Sequence, residues 1–379
     1  MTAARRPPAP ARLAAAAAVA GALAAALVPG AGGFAAELEP LGIDPQRVTV
    51  SGISSGGYMA VQLGVAFSAR FAGVAAIAAG PYGCARTDSR DPLANVRRAL
   101  GPCMAGSYPR PQRWQCAWPW LADRCPGPNA PDPAAAIAQV HRKAARGAID
   151  SPSHLARQRV FLLAGGRDTT VVPAVVEALR AFYAAFVPAA QLRFETLARA
   201  AHTFPTDGFD RGNACGVAEP PFVSDCGHDA AGALLAHLHG PLEPGGPPPR
   251  TARAFDQRPF FGARAAAGLA DTGYVYVPAA CEAASGCALH VALHGCRQTV
   301  ADVGRAFIDG AGYNRWAEGN GIVVLYPQVR PAASALDVNP RNCWDWWGYT
   351  GAGWDDKDGL QLGAIVAMIE RLTQAPARR

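Results

Sequence analysis

"VTVSGISSGGYMA", residues 48–60, reads as a β-branched apolar strand that runs into glycine, shows two serines and then turns helical. Residues 52–56, "GISSG", satisfy G-x-S-x-G with Ser54 at the centre. That pentapeptide between a strand and a helix describes a sharp turn that lifts a serine hydroxyl clear of the sheet. The flanking Gly52 and Gly56 suit such a turn, because backbone passes close to backbone and leaves no room for side chains. Alone the pattern is weak in a chain with 41 glycines; its strand-to-helix context makes Ser54 the candidate nucleophile. Ser51 and Ser55 are off register for that role. The Ser55 amide, however, opens the helix and would face an anionic oxygen.

Outward from this turn the text alternates strand-like and helix-like runs, the pattern of a largely parallel sheet covered by helices. "RVFLLAGG" (159–166), "LRFETLA" (192–198), "GYVYVP" (273–278), "ALHVALHG" (288–295) and "GIVVLYP" (321–327) read as strands. Residues 173–186, 300–320 and 359–372 read as helices, the second as one continuous piece. Residues 84–158 break the rhythm with prolines, Cys103, Cys116, Cys125, Trp114, Trp118 and Trp120, and are expected to form an insertion or lid. "GPLEPGGPPPR", 240–250, has linker composition.

A serine hydroxyl needs a base to take its proton, and the base needs a carboxylate to orient it. Asp168 stands just past "VFLLAGGR", where a sheet of this kind places its functional loops, and His202 follows the next strand. The order Ser54, Asp168, His202 is that of the α/β-hydrolases. Asp207 and Asp210 are rival carboxylates in the loop beyond the histidine. His141, His154, His237, His239 and His290 fall in the insertion, on a helix end or within a strand, where structural roles are expected.

A second oxyanion donor would come from a loop after another strand, and "HVALHGC", 290–296, has the required HG pair. It lies after the triad in sequence, which is a displaced order. The expected explanation is circular permutation, in which the chain starts on the nucleophile strand and ends on the helix that would otherwise precede it. The 240–250 linker then replaces an original pair of termini, so that one sheet draws on both halves.

Composition bounds the rest. The 379 residues are 50% hydrophobic and 17% charged, which is globular. Residues 1–36 carry Arg5, Arg6 and Arg12, the apolar run "LAAAAAVAGALAAALVPG" and small residues at "GGFAAE", the three regions of a secretory signal with cleavage expected near Ala36. A membrane anchor is the rival reading, but the run is alanine-rich, broken by Gly21 and Pro29, and short of the ~20 residues a spanning helix needs. The formal charge of +6 falls by the three leader arginines to +3. That is too mild, and too dispersed, to suggest nucleic acid.

All ten cysteines follow the leader, which in an exported chain implies disulfides. Short spacings pair Cys215 with Cys226 and Cys281 with Cys287, while the pairing of Cys84, Cys103, Cys116 and Cys125 stays open. No CxxC occurs, so neither a metal nor any other cofactor is expected.

"GISSGGYMA", "AGGRDTTVVP", "AHTFPTD", "LHGCRQT" and "NCWDWW", in this permuted order, resemble the poly(3-hydroxybutyrate) depolymerase family over roughly residues 40–372. The resemblance implies a circularly permuted α/β-hydrolase fold, a mostly parallel sheet flanked by helices, forming a single catalytic domain over 37–379. It implies a secreted or periplasmic serine esterase that cleaves short-chain polyhydroxyalkanoate, polymer or oligomer. The triad falls on Ser54, Asp168 and His202, the oxyanion amides on Ser55 and Cys296, and a bridge on Cys296 with Cys343.

Trp344, Trp346, Trp347 and Tyr349 are candidates to contact an apolar polyester, although two of them could equally be core. Trp114, Trp118 and Trp120 are weaker candidates. No appended polymer-binding domain is expected, which favours amorphous polymer or oligomers as substrates, and a monomer without a stable membrane anchor is expected. A secreted feruloyl or acetyl esterase and a noncatalytic polymer-binding protein are the competing readings.

Overall fold

The computed structural model describes residues 35–376 apart from 88, 90, 92, 106–130, 263–266 and 284. Residues 1–34 of the leader expected over 1–36, together with Cys116, Cys125, Trp114, Trp118 and Trp120, lie outside the described residues. Eleven strands are defined: β1 Val48–Ile53, β2 Gly73–Ile77, β3 Arg159–Gly165, β4 Leu192–Leu197, β5 Phe204–Thr206, β6 Asn213–Ala214, β7 Val223–Asp225, β8 Arg253–Asp256, β9 Thr272–Tyr276, β10 Ala288–Leu293 and β11 Ile322–Tyr326.

Eight of them form one sheet in the order β4-β3-β2-β1-β10-β11-β9-β8, and β5, β7 and β6 form a small second sheet. From β4 to β11 every neighbouring pair is parallel; only β9 runs antiparallel, to both β11 and β8. Counted from β8 through β11 and on to β1 to β4, the sheet reads 1-2-4-3-5-6-7-8. This is an α/β-hydrolase sheet, mostly parallel and flanked by helices.

The central strands are continuous apolar runs because helices cover both faces. Every residue of β1, β2, β10 and β11 is buried. β1 nonetheless carries Thr49 and Ser51, which find partners on β10 and on the helices packed against it. Thr49 Oγ1 lies 2.8 Å from His290 Nδ1, and Ser51 Oγ lies 2.7 Å from His290 Nε2 and 2.6 Å from the Tyr313 hydroxyl. Shifting β1 by one residue against β10 would strand these groups without partners, so the polar ladder fixes the register that puts Gly52 opposite Leu293.

The segment entering β1 is tied to the far end of the chain. Leu41 and Ile43 both donate to the Leu372 carbonyl at 3.1 Å, and Gly42 donates to that of Gln374 at 2.8 Å. The end of the helix Leu360–Thr373 is thus hydrogen-bonded to the segment that leads into β1.

One expectation needs correcting, and one strand was not anticipated. The run over 300–320 is three pieces, Val300–Val303, Ala306–Gly310 and Tyr313–Asn320, separated where Gly304 and Gly312 adopt φ of 60° and 93°, outside the helical region. β8 also escapes the reading of the sequence: a charged four-residue edge strand, it pairs with β9 and bridges Ala36.

Candidate active site

β1 delivers Ser54 at its carboxyl end, and the helix Ser55–Ala66 leaves immediately behind it. Ser54 has φ 56° and ψ −124°, a conformation that L-residues avoid and that costs of order 1–3 kcal/mol. Its neighbours hold it there. The Ser54 N–H donates to the Ile77 carbonyl of β2 at 2.9 Å, and its carbonyl accepts the Tyr58 N–H at 2.9 Å, the first turn of the helix.

The glycines are required sterically. A Cβ on Gly52 would sit 2.3 Å from the Gly56 carbonyl, and one on Gly56 would sit 2.3 Å from the Leu293 carbonyl oxygen and 2.4 Å from that of His294. Ser54 is 8% exposed, enclosed but reachable.

Asp168 follows β3 and His202 follows β4. The loops that carry them are laced together: Gly166 N–H donates to Leu197 O at 2.8 Å, and Arg167 N–H to Ala200 O at 2.9 Å. His202 Nδ1 meets Asp168 Oδ2 at 2.7 Å, with both side chains buried. The other carboxylate oxygen, Oδ1, accepts the Thr170 and Val171 N–H groups at 2.8 and 2.9 Å. The carboxylate is therefore fixed in orientation and accepts the Nδ1 proton, which leaves Nε2 of His202 as a lone-pair acceptor.

A second brace comes from the Cys215–Cys226 disulfide. Ala201 N–H donates to Cys215 O at 2.9 Å and Cys226 N–H to Thr206 O at 2.8 Å, on either side of the histidine. The rival Asp207 is held by Arg315 at 2.8 Å, which lowers its carboxyl below the usual range.

The loop after β10 lies against Ser54. A Cβ on Gly295 would come within 3.4 Å of the Ser54 Cβ. The Ser55 and Cys296 N–H groups find no hydrogen-bond acceptor among the described residues. Both belong to segments that adjoin Ser54. Cys296 is bridged to Cys343, which anchors this loop to the "NCWDWW" segment; Cys84–Cys103 and Cys281–Cys287 are also joined.

The aromatic cluster divides. Trp344 is fully enclosed, packed 5.3 Å from the His294 ring, and presents no face to a ligand; Trp346 is buried and stacks on Tyr58 at 4.2 Å. Both were offered as candidate substrate contacts, with core as the alternative for two of the cluster, and both are core: their rings are taken up by His294 and Tyr58. The Tyr349 hydroxyl is already used, donating to Cys343 O at 2.8 Å and accepting from Asn339 Nδ2 and Gln361 Nε2.

Trp347 is partly exposed, edge-on to Trp346 at 5.7 Å. Its loop closes around the buried Asp345 carboxylate, which accepts the N–H groups of Trp347, Gly348, Tyr349 and Thr350 and the Thr350 hydroxyl. The histidine of the HG pair, His294, was not singled out from sequence. Its environment can be recognised only once β10 and the segment at Val329 are seen side by side.

No protein-family model matches the chain. The poly(3-hydroxybutyrate) depolymerase of Delftia acidovorans is 39% identical over 345 residues, 89% of this chain and 62% of that relative, so this chain spans only about three-fifths of its length. The polyhydroxybutyrate depolymerase of Talaromyces funiculosus is 35% identical over 350 residues, 89% of this chain and 93% of the relative.

Two solved structures share 34% identity, each covering 89% of this chain and 98% of their own. They are a serine-to-alanine variant of PHB depolymerase complexed with an R3HB trimer, TM-score 0.76, and PHB depolymerase from Penicillium funiculosum, TM-score 0.75. With the sheet order, the strained serine turn and near full-length similarity all in agreement, the chain belongs to the polyhydroxybutyrate depolymerase family.

Proposed function

We propose that the chain is an exported serine esterase that hydrolyses poly(3-hydroxybutyrate) or related short-chain polyhydroxyalkanoates and their oligomers, with Ser54 as nucleophile, His202 as base and Asp168 as its orienting carboxylate. The observation that carries the reading is the 2.7 Å His202–Asp168 pair in one body with a strained Ser54 and two unengaged amides. In this mechanism His202 Nε2 takes the Ser54 Oγ proton as Oγ attacks the ester carbonyl carbon. The carbonyl electron pair moves onto oxygen, where the Ser55 and Cys296 N–H groups receive it. Collapse breaks the ester C–O bond, and the leaving alkoxide takes the proton from His202. Water then attacks the acyl-enzyme while giving a proton to His202. The 3-hydroxy acid departs and Ser54 Oγ recovers its proton.

Residues 37–379 are read as one permuted catalytic domain in which 240–250 is the linker and about 84–158 the insertion. The β1–β10 ladder and the Leu41–Leu372 contacts support this. The four bridges favour an oxidising compartment, and among the described residues no helix is long and apolar enough to cross a membrane. The protein is taken to act as a monomer on polymer or oligomer.

Ser54→Ala should lower kcat on a soluble butyrate ester by at least about 10⁴-fold while the protein stays folded. Undiminished activity would refute the assignment. Product analysis on amorphous polymer set beside feruloyl esters tests the substrate, and preference for the aromatic ester would replace it.

A further inference from the structure

The Cys296 amide can serve an oxyanion only if the peptide unit it belongs to is turned the right way. That unit runs from Gly295 C=O to Cys296 N–H, and in a trans peptide the two groups point in opposite directions. Whatever holds the Gly295 carbonyl therefore aims the Cys296 N–H. The carbonyl is held by its own neighbour: His294 Nδ1 lies 2.7 Å from Gly295 O.

The tautomer follows from the opposite side of the ring. The Val329 N–H donates to His294 Nε2 at 3.3 Å, so Nε2 is an acceptor and Nδ1 carries the hydrogen that the carbonyl accepts. The ring cannot swing away, being fully buried and packed on the equally buried Trp344. The other end of the glycine is fixed as well. Gly295 N–H donates to Gln298 Oε1 at 2.7 Å, and Gln298 Nε2 donates to the Pro221 and Phe222 carbonyls at 3.0 and 3.1 Å. Phe222 O in turn accepts from Phe204, two residues beyond His202.

We infer that His294 is a positioning residue for ester hydrolysis: neutral and protonated on Nδ1, it sets the plane of the Gly295–Cys296 peptide so that the Cys296 N–H faces the developing oxyanion. Gln298 completes the clamp and ties the oxyanion loop to the loop of the base. The inference rests on the proposed roles of Ser54 and the Cys296 amide.

Two variants of matched chemistry separate positioning from packing. His294→Asn puts an amide N–H where Nδ1–H was, and His294→Gln puts it one bond further out, near Nε2. Losing one oxyanion donor costs about 10²–10³ in kcat, so a misaimed donor should approach that range. Kinetics on p-nitrophenyl butyrate, with active sites titrated by a fluorophosphonate, should show the Asn variant within about threefold of the parent. The Gln variant should lose about 30-fold or more in kcat, with KM little changed. Affinity for a boronic acid, which mimics the tetrahedral state, should fall in proportion to kcat/KM.

Equal kcat in the two variants, whether both retained or both lost, overturns the inference, as does a loss carried in KM or boronate binding that does not follow kcat/KM. Failure of the underlying reading looks different: the fluorophosphonate would then not label Ser54 in the parent enzyme.

Discussion

Replacing Asp168 by Asn tests the base most sharply, because the surroundings dictate which way the new amide must face. Oδ1 of Asp168 accepts two N–H groups, from Thr170 and Val171, while Oδ2 faces His202 Nδ1. An asparagine there keeps its carbonyl oxygen toward the two backbone donors. Flipping would set an NH2 against both of them, at about 1–3 kcal/mol for each buried group left unsatisfied. The amide NH2 therefore faces the imidazole, and Nδ1 must accept. His202 then carries its proton on Nε2, the nitrogen that should receive the serine proton.

The base is in place but in the wrong tautomer. Such a substitution in a serine triad lowers kcat by about 10⁴, equivalent to about 5.5 kcal/mol of barrier. Stability should change little, since all three hydrogen bonds are retained with one reversed in polarity. The assay is kcat on p-nitrophenyl butyrate together with the rate of Ser54 phosphonylation, both expected to fall in parallel. A variant within tenfold of the parent in either rate would show that the carboxylate does not set the tautomer, and Asp168 would lose its role.

Opening the Cys296–Cys343 bridge with Ser at both positions releases a loop of 47 residues' separation, so unfolding free energy should drop by about 4 kcal/mol on the chain-entropy estimate. Catalysis should fall as well, because the loop carrying the Cys296 amide loses its anchor; urea unfolding with parallel kcat measurement checks both, and unchanged stability would contradict the estimate. Stability should also fall on mild acidification. Burial holds His239 and His294 at about 4 and His290 well below its ordinary value. The unfolded chain then binds protons through about pH 6.5 that the folded one refuses until near pH 4, so stability is complete above that upper limit and declines as pH falls through the window. Urea unfolding at pH 7, 6, 5 and 4 should show the decline, with a shallower slope in His239→Gln, which can keep the 2.8 Å bond to Thr49; a flat profile would mean that these rings do protonate in the fold.

How much of this was legible in the sequence depended on how local the cause was. The serine turn was readable because its requirements are short-range: an apolar strand, two glycines with no room for a Cβ, and a helix at once. The central strands were readable because burial on both faces leaves runs such as "IVVLY" with no polar break. The continuous helix expected over 300–320 failed at Gly304 and Gly312, whose φ values of 60° and 93° break the helical run. Trp344 and Trp346 failed for a related reason: aromatic residues serve a core and a binding surface equally well, and only neighbours distant in sequence, His294 and Tyr58, decide between them. His294 looked like one letter of a motif. Its meaning depends on an amide at Val329, 35 residues away.

The same distinction bears on how the site stays aligned. Ser54 sits in a conformation that its own backbone disfavours, so something must over-determine it. The constraints come from both halves of the chain: Ile77 and Gly52 from the first, and the Leu293 and His294 carbonyls, which close over Gly56, from the second. β1 is the seam where those halves meet, paired with β2 on one flank and β10 on the other. Ser54 is thus held at the end of a strand whose two neighbours come from opposite halves of the chain. The last helix is joined to the segment entering β1 by the Leu41, Gly42 and Ile43 donors, at the opposite end of that strand from Ser54. The Ser54 turn is therefore constrained by strands on both flanks, while residues 41–43 and 372–374 pair at the other end of β1 and leave those constraints untouched.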